Sequence, residues 1–344
     1  MKKHWKQLLS LCLSAALLCS LAACGNHQAE TETPSPSPEQ ESPVVDTEVP
    51  VNVMVLNGTT GFGMAKLITD AAAGDVGLNY QFSVETDPTN VTGALINGTA
   101  DIAALPTNAA SVVYNKTQGE VQVLALNTLG VLYLMTDRSV TVDSFESLKG
   151  QTVYVPAQNP TFIFQYLCEQ NGLKVGEDVF IDNTYAQPTD LRTALAAGEV
   201  SLAVLPEPMV TIAKSGNDAL VTAMDLTEEW EKVSPENSLV QGCVVVRKEF
   251  AQAHPAEVAK FLEDYGASIA FLEGDAEAVG TAIEQSGVFA KGAVAVKALP
   301  NCNICFLTGE DMKSSMSAFL EIMMEQAPVS IGGALPGDDF YFIG

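Results

Sequence analysis

A repeat with a spacing of one hundred residues is the feature that most constrains the fold of this chain. Residues 94–106 read ALINGTADIAALP and residues 194–206 read ALAAGEVSLAVLP, with six of the thirteen positions identical. Each copy has the pattern of a helix end, a glycine stop, a buried strand and a proline at the carboxyl end of the strand. The repeat predicts one α/β unit built twice. Two such units imply two similar lobes with a ligand cleft between them.

Strand and helix patterns alternate through both copies, which is typical of α/β proteins with a parallel sheet flanked by helices. In the first half we predict strands at 51–56, 80–84, 101–105 and 121–126, and helices at 64–73, 89–96 and from 107 onward. In the second half we predict strands at 152–155, 179–181, 201–205 and 220–223, and helices at 161–171, 188–197 and 207–213. After a strand at 243–246 the pattern is helical, at 255–273, 276–286, 292–299 and 308–326.

The predicted elements suggest how the chain divides between the two lobes. We expect residues 51–126 plus 243–344 to form lobe 1, with the C-terminal helices packed on it, and residues 127–242 to form lobe 2. The chain would then cross between lobes twice, near 125–131 and 238–246. Two crossing segments form a hinge that lets lobes close on a ligand.

The N-terminus has the pattern of a bacterial lipoprotein signal. Residues 1–23 combine three lysines with a short apolar run, and the sequence LAAC ends at Cys24, which is the predicted lipidation site. An ordinary signal peptide with an unrelated Cys is the alternative. The segment 24–50 is acidic, rich in proline and free of Lys and Arg, so we expect a disordered tether between the membrane and the folded body.

Net charge and cysteine content exclude several classes of function. The formal charge of −25 disfavours binding to nucleic acid or to anionic lipid headgroups. Cys302 and Cys305 have a CxxC spacing, but a zinc site needs two further ligands and the only His of the body is His254. We therefore expect no metal, and the pair is either two buried thiols or a local disulfide.

Polar residues follow the predicted strands, where ligands of α/β proteins bind. The loop after the first strand, GTTGFG at 58–63, could hold a polar group through its N–H groups, although a tight turn explains it equally well. Glu207 could accept a ligand hydrogen bond or stabilise a helix start, and Phe62 and Phe162 could sandwich a flat ligand or pack in the core. The candidate ligand-binding residues are Asn57, Thr59, Thr60, Gly61, Phe62, Thr107, Asn108, Asn127, Gln158, Asn159, Thr161, Phe162, Glu207 and Gln241.

Catalytic patterns are missing from the sequence. It contains no GxSxG elbow and no HExxH, and no His accompanies a Ser or Cys in a predicted loop. Lys and Arg are also absent from the strand-end loops, which disfavours a strongly anionic ligand. We expect a binding protein that is not an enzyme and needs no cofactor.

Several segments resemble the solute-binding lipoproteins of ABC importers, in the group that binds nitrate, taurine, sulfonates and thiamine precursors. The resemblance covers essentially the whole body, and it implies two α/β lobes of the periplasmic-binding-protein-like type II fold, joined by a two-segment hinge. It also implies an ABC permease and its ATPase as partners. The matching segments are LAAC at 21–24, LNGTTGFGMAKL at 56–67, GTADIAALPTNAASVVYN at 98–115, VQVLALNTLGVLYL at 121–134, LPEPMVT at 205–211 and IGGALPGDDFYF at 331–342.

Together these observations predict a monomeric, lipid-anchored protein at the outer face of the bacterial cytoplasmic membrane. It would capture a small organic solute and deliver it to an ABC importer. A sulfonate, a nitrate-like anion and a pyrimidine or thiamine precursor remain open as ligands. The alternatives are an enzyme on the same fold, acting on a small heterocycle or carboxylate, and a ligand-sensing subunit.

Overall fold

The computed structural model describes residues 44–344, which belong to one compact unit. The predicted signal peptide, the lipidation site Cys24 and all but the end of the predicted tether lie outside the described residues. Within residues 44–344, no helix combines the length and the apolar character that a membrane span requires.

The end of the predicted tether contacts the folded body. The backbone N–H of Asp46 donates to Glu257 Oε1 over 2.7 Å, and Val49 packs against the core. The first strand follows at once, beginning at Pro50. The last residues before the body therefore have a fixed place on its surface.

Up to the C-terminal helices, strands and helices alternate as the sequence predicts, except that Leu132–Thr136 forms an unpredicted strand that directly follows another strand. The strands are β1 (Pro50–Leu56), β2 (Asn79–Glu85), β3 (Ile102–Pro106), β4 (Val121–Thr128), β5 (Leu132–Thr136), β6 (Thr152–Tyr154), β7 (Phe180–Asp182), β8 (Leu202–Pro206), β9 (Val221–Asp225), β10 (Gly242–Arg247) and β11 (Ile304–Leu307). The helices are α1 (Thr59–Phe62), α2 (Ala65–Ala73), α3 (Pro88–Asn97), α4 (Thr107–Thr117), α5 (Asn159–Gln170), α6 (Pro188–Ala197), α7 (Met209–Gly216), α8 (Leu226–Glu231), α9 (Lys248–Ala253), α10 (Pro255–Phe271), α11 (Ala276–Gln285), α12 (Gly292–Ala298) and α13 (Gly309–Gln326).

Two sheets organise these elements. The first sheet has the order β11-β4-β10-β3-β1-β2, and the second has the order β7-β6-β8-β5-β9. Apart from the edge strand β11, the two orders are equivalent position by position. The duplicated unit that the repeat predicts is thus present as two sheets of the same topology.

The repeat is preserved at the level of single residues. Helices α3 and α6 both end at a glycine in the left-handed conformation, Gly98 at φ 77° and Gly198 at φ 75°. Only glycine adopts this φ without strain, which explains why both copies keep it. Strands β3 and β8 follow, and both end at a proline one hundred residues apart.

Neither sheet is fully parallel, in contrast to the sequence-based expectation. Strand β10 runs antiparallel between β3 and β4, and β5 runs antiparallel between β8 and β9. Each reversed strand follows directly on a passage from the other sheet, so it enters from the opposite end. The alternation of strands and helices predicts a parallel direction only for strands that a helix connects. It does not predict the direction of a strand that enters from the other sheet.

The apolar core is continuous on one side of the two sheets and divided on the other. The continuous cluster includes Trp230 of α8, whose ring lies 4.8 Å from that of Tyr166 on α5 and 6.0 Å from that of Phe319 on α13. On the other side, one cluster packs α2, α10, α11 and α12 on the first sheet, and a separate cluster packs α6 and α7 on the second. The C-terminal helices α10, α11 and α12 therefore pack on the first sheet, as predicted.

Candidate functional site

The loop after β1 brings a hydroxyl of the first half against the second half. Gly58 has φ 82° and donates its N–H to Val288 O over 2.8 Å. This compact turn places Thr59 so that its Oγ1 donates to the backbone oxygen of Glu207 over 2.8 Å. The end of β1 and the end of β8 are thus joined by a direct hydrogen bond.

A pair of asparagines forms a second link between the halves. Asn159 Nδ2, at the start of α5, donates to Asn108 Oδ1, at the start of α4, over 2.9 Å. Asn108 Nδ2 donates in turn to Ser330 O over 3.3 Å, which fixes the orientation of its amide. Asn159 is 9% exposed, and its Oδ1 has no hydrogen-bond partner in the structure. A buried acceptor left unpaired is costly, so it is a ready acceptor for a ligand donor.

Three other predicted site residues serve the crossings between the sheets. Gln241 Oε1 accepts the N–H of Val131 over 2.7 Å, so it ties the second crossing to the first. Asn127 Nδ2 donates to Thr60 O over 3.2 Å, and Thr107 Oγ1 donates to Val240 O over 2.7 Å. These polar atoms are engaged with backbone, and their role in this structure is to hold the hinge segments in place.

Glu207 is both a helix cap and a cavity wall. Its carboxylate accepts the N–H of Thr211 over 3.0 Å and the Thr211 hydroxyl over 2.9 Å, at the start of α7. Asn301 Nδ2 approaches the same carboxylate at 3.4 Å. Only 2% of Glu207 is exposed, and burial raises the pKa of its carboxyl above the ordinary value, although the bonds from Thr211 and Asn301 oppose this rise.

The predicted aromatic sandwich is not formed. Phe62 is fully buried, and its ring meets the ring of Phe289 edge-on at 5.8 Å. Phe162 packs against the continuous cluster, whereas Phe62 belongs to the cluster of the first sheet. Because α1 begins at Thr59, it turns Phe62 inward, and no free ring face is left for a ligand.

The remaining predicted residues lie at the same strand ends. Asn57 and Gln158 are exposed, and Gln158 occupies the left-handed region with φ 68° immediately before α5. Thr161 Oγ1 donates to Pro156 O over 2.8 Å and accepts from Asn183, so it shapes the loop. Gly61 has no room for a side chain, since a Cβ there would lie 2.7 Å from Leu56 O.

An open cavity of about 500 Å³ lies beside Glu207, and sequence reasoning missed most of its wall. Tyr133 of β5, Lys214 of α7, Lys297 of α12 and Asn301 line it together with Glu207. Tyr133 donates its hydroxyl to Asn301 O over 2.8 Å, so the cavity joins residues of the second sheet to the segment after α12. Burial, and then the nearby carboxylates, raise the pKa of the Tyr133 hydroxyl.

One residue of this cavity wall, Lys214, could have been predicted from the sequence. Lys214 follows Thr211 by three residues, the spacing of neighbours on one helix face, so it lies above Glu207. Lys297 and Asn301 had no such signal, because they come from the C-terminal region and reach the cavity only through the packing of α12.

The four cysteines of the body are free thiols. Cys302 Sγ donates to Ala298 O over 3.2 Å and Cys305 Sγ donates to Leu126 O over 3.6 Å. Of the two alternatives for the CxxC pair, the structure has the thiols. Burial raises the pKa of the Cys305 thiol to about 12, so it is protonated at neutral pH. Among the described residues, no three His, Cys, Asp or Glu side chains are grouped as a metal site.

The sequence comparisons identify the family. Residues 74–277, more than half of the chain, match the family described as NMT1/THI5 like. The chain belongs to the NMT1/THI5-like family. No curated protein sequence matches the chain.

Solved structures share the fold of this NMT1/THI5-like chain at low identity. The crystal structure of an ABC transporter from Parabacteroides distasonis is 24% identical, with a TM-score of 0.72 and coverage of 86% of this chain and 99% of that chain. The periplasmic aliphatic sulphonate-binding protein SsuA from Escherichia coli is 12% identical, with a TM-score of 0.66 and coverage of 80% and 92%. The periplasmic nitrate-binding protein NrtA from Synechocystis PCC 6803 is 10% identical, with a TM-score of 0.53 and coverage of 68% and 65%. The predicted periplasmic-binding-protein-like fold and the predicted group of relatives are confirmed.

Proposed function

We propose that this protein is a solute-binding lipoprotein that captures a small organic solute between two lobes and delivers it to an ABC permease and its ATPase. The lobes are residues 51–126 plus 243–344 and residues 127–242. In this proposal the protein is a monomer at the outer face of the bacterial cytoplasmic membrane, it binds no nucleic acid, and it binds its ligand without chemical conversion.

One observation carries the proposal. The strand ends of the two sheets meet through Thr59 and Glu207 and through Asn108 and Asn159, and the buried Asn159 Oδ1 is left without a partner. Such cross-links between halves can be exchanged for bonds to a ligand, which would shift an open–closed equilibrium by the ligand's preference for the closed form. Of the proteins named above, which share this fold, one is described as an ABC transporter and the other two as periplasmic sulphonate- and nitrate-binding proteins, which supports a transport role.

A thermal-shift screen of the purified protein tests solute capture. The library would contain sulfonates, nitrate, carboxylates, amino acids and pyrimidines. A ligand present at a hundredfold excess over its dissociation constant is expected to stabilise the fold by about 2.7 kcal/mol. Conversion of a stabilising compound by the purified protein would instead favour the enzyme alternative, and a screen without any stabilising compound would contradict the proposal.

A pair of variants tests the cross-link. Replacing Asn159 with Ala removes one of the two links between the halves together with its unpaired acceptor, so the closed form loses stability and ligand affinity is expected to fall about tenfold. Gln165→Ala is the matched control, since Gln165 lies on the same helix and bonds only Glu169. Equal affinities in the two variants, measured by calorimetry, would show that the Asn108–Asn159 link has no part in ligand binding.

The lipid anchor has its own test. Cells that express the protein are grown with labelled palmitate, and label is expected on the wild type and on Cys305→Ser but not on Cys24→Ser. Label on the Cys24→Ser variant would contradict the anchor and leave solute binding untouched.

A further inference from the structure

The cavity beside Glu207 is bordered by both halves of the molecule. Tyr133, Val210 and Lys214 belong to the second sheet and its helix α7, whereas Lys297 and Asn301 belong to the segment packed on the first sheet. Other cavities of similar size, near residues 269–304 and 276–297, are lined by first-sheet elements alone. A ligand in the shared cavity would therefore contact both proposed lobes at once.

Two lysines face this cavity without an ion-pair partner. Lys214 and Lys297 are exposed, and neither appears in a salt bridge among residues 44–344. Seven of the other nine lysines of the same region have acidic partners, whereas Lys116 and Lys291 have none. In a chain with 42 acidic and 17 basic residues, two ammonium groups without a salt bridge, on the packed helices α7 and α12, favour an anionic ligand group in this cavity, although Lys214 also attracts the Glu207 carboxylate.

Two carboxylates line the same cavity at its strand edge. Asp225 is paired in register with Tyr133 on β5, and Glu207 directly follows β8 on the other side of β5. Asp225 uses Oδ1 to accept the N–H of Thr227 over 2.8 Å, which leaves its second oxygen for other donors. Glu207 also keeps acceptor capacity, since a carboxylate has about four acceptor sites. The carboxylates thus lie on the sheet, and the lysines lie on helices α7 and α12.

This arrangement discriminates among ligands by charge. A simple anion would meet the lysines but also two carboxylates, and a simple cation would meet the carboxylates but also two lysines. A molecule with both charges satisfies both sets without leaving a like charge opposed. The absence of Lys and Arg from the strand-end loops does not exclude an acidic ligand group, because the lysines enter from the helices.

We propose that the solute of this protein is a small dipolar molecule, with one acidic group held between Lys214 and Lys297 and one ammonium group held by Glu207 and Asp225. This inference rests on the proposed function, names its ligand class and places the ligand at the Thr59–Glu207 link between the halves, whereas Asn159 belongs to the other link and does not line this cavity. The cavity volume of about 500 Å³ is in the range of small-molecule sites. The ring of Tyr133 and the side chain of Val210 add apolar surface to the lining of the cavity.

Two matched series of compounds test the ligand class by calorimetry on the full-length protein. One series is β-alanine, propionate and propylammonium, and the other is 4-(aminomethyl)benzoate, 4-methylbenzoate and 4-methylbenzylammonium. In at least one series the dipolar compound is expected to bind about tenfold tighter than its anionic and cationic analogues. An anion that binds as tightly as the dipolar compound would overturn the proposal, and so would the absence of binding by all six compounds at millimolar concentration.

Three variants test the residues. Lys214→Gln and Lys297→Gln are each expected to weaken the dipolar compound about five- to tenfold and to leave binding of the cationic analogue unchanged or improved. Lys291→Gln is the matched control, because Lys291 is an exposed lysine immediately before α12 and lies outside the cavity lining. Equal affinities in all three variants would overturn the assignment.

The outcomes separate this inference from the proposed function. If the thermal-shift screen finds a ligand whose affinity is the same in both lysine variants and in the wild type, the cavity assignment fails and solute capture stands. If the screen finds no ligand of any class, the proposed function fails with it.

Discussion

The two copies of the repeat share their backbone and differ in the residue that follows it. Helix α3 and helix α6 span equivalent positions, and Pro106 and Pro206 each pair with the first residue of a reversed strand, Gly242 and Leu132. The next residue is neutral Thr107 in one copy and Glu207 in the other. The comparison teaches that the shared residues determine the backbone, whereas the next residue has a different contact in each copy: Thr107 bonds Val240 of the second crossing, and Glu207 lines the cavity.

The largest expected effects come from the first residue of each reversed strand, where the two copies differ in the space available to a side chain. Leu132 is fully buried, so Leu132→Ala is expected to lower the free energy of unfolding by about 2–5 kcal/mol through a cavity. Gly242 has the opposite problem, since a Cβ there would collide with Asn127 Oδ1 and lie 2.9 Å from Thr128 Oγ1. Gly242→Ala is expected to cost about 1–3 kcal/mol through overpacking. Urea unfolding measures the free energy of unfolding of both variants. An unchanged value in either variant would contradict the view that the first residue of each reversed strand is tightly packed.

The buried hydroxyl of Thr107, directly after β3, gives the next largest expected effect on stability. Thr107→Val leaves the carbonyl of Val240 without its donor, which is expected to cost about 1–3 kcal/mol of unfolding free energy. Thr107→Ser keeps the hydroxyl and serves as the control. If the Val variant were as stable as the Ser variant in urea unfolding, Thr107 would have no part in holding the second crossing.

Only the second copy has a titratable residue, Glu207, directly after its proline. We therefore expect this position to make the free energy of unfolding depend on pH in the second copy and not in the first. The pKa of Glu207 is raised by burial, so the unfolded chain ionises first as the pH rises. The unfolding free energy of the wild type relative to Glu207→Gln is therefore expected to fall from about pH 4.5 upward and to level off above the folded-state pKa. The loss is about 1.4 kcal/mol for each unit of the shift. A relative stability that stays constant between pH 4 and pH 8 would show that the carboxylate is not desolvated.

The helix starts give the smallest expected difference. Asp87 caps α3 by accepting the N–H of Thr89 over 2.8 Å, whereas Gln187 makes no such bond at α6. Asp87→Ala is expected to cost about 1 kcal/mol, and Gln187→Ala less than about 0.5 kcal/mol. Thermal unfolding of both variants measures this, and equal losses would mean that the two starts are stabilised alike.

The elements that were predicted correctly are those with clear sequence patterns at their own ends. Helix α6 was predicted with its observed bounds, and α3 within one residue at each end, because a proline begins each helix and a glycine ends it. Strand β5 was missed, since its pairing depends on Pro206 and Asp225, which lie far away in sequence. The hundred-residue register predicted the two sheets but not the reversed strand within each.

The candidate site was predictable at the strand ends and not beyond them. Asn108 and Asn159 follow predicted strands, and the structure brings them together. Phe62 packs against Phe289, and no local sequence pattern predicts this contact. Lys297 reaches the cavity through the packing of α12 against the second half. Long-range packing, rather than local propensity, decides these positions.

Native mass spectrometry of the purified protein tests the central claim, that the duplicated units together hold one solute. The protein is measured intact, and the released small molecule is weighed after denaturation. We predict one small molecule per chain, carrying both an acidic and an ammonium group, and its loss in the Lys214→Gln, Lys297→Gln double variant. Two molecules per chain, one for each sheet, or none in the presence of the stabilising compounds would contradict the account.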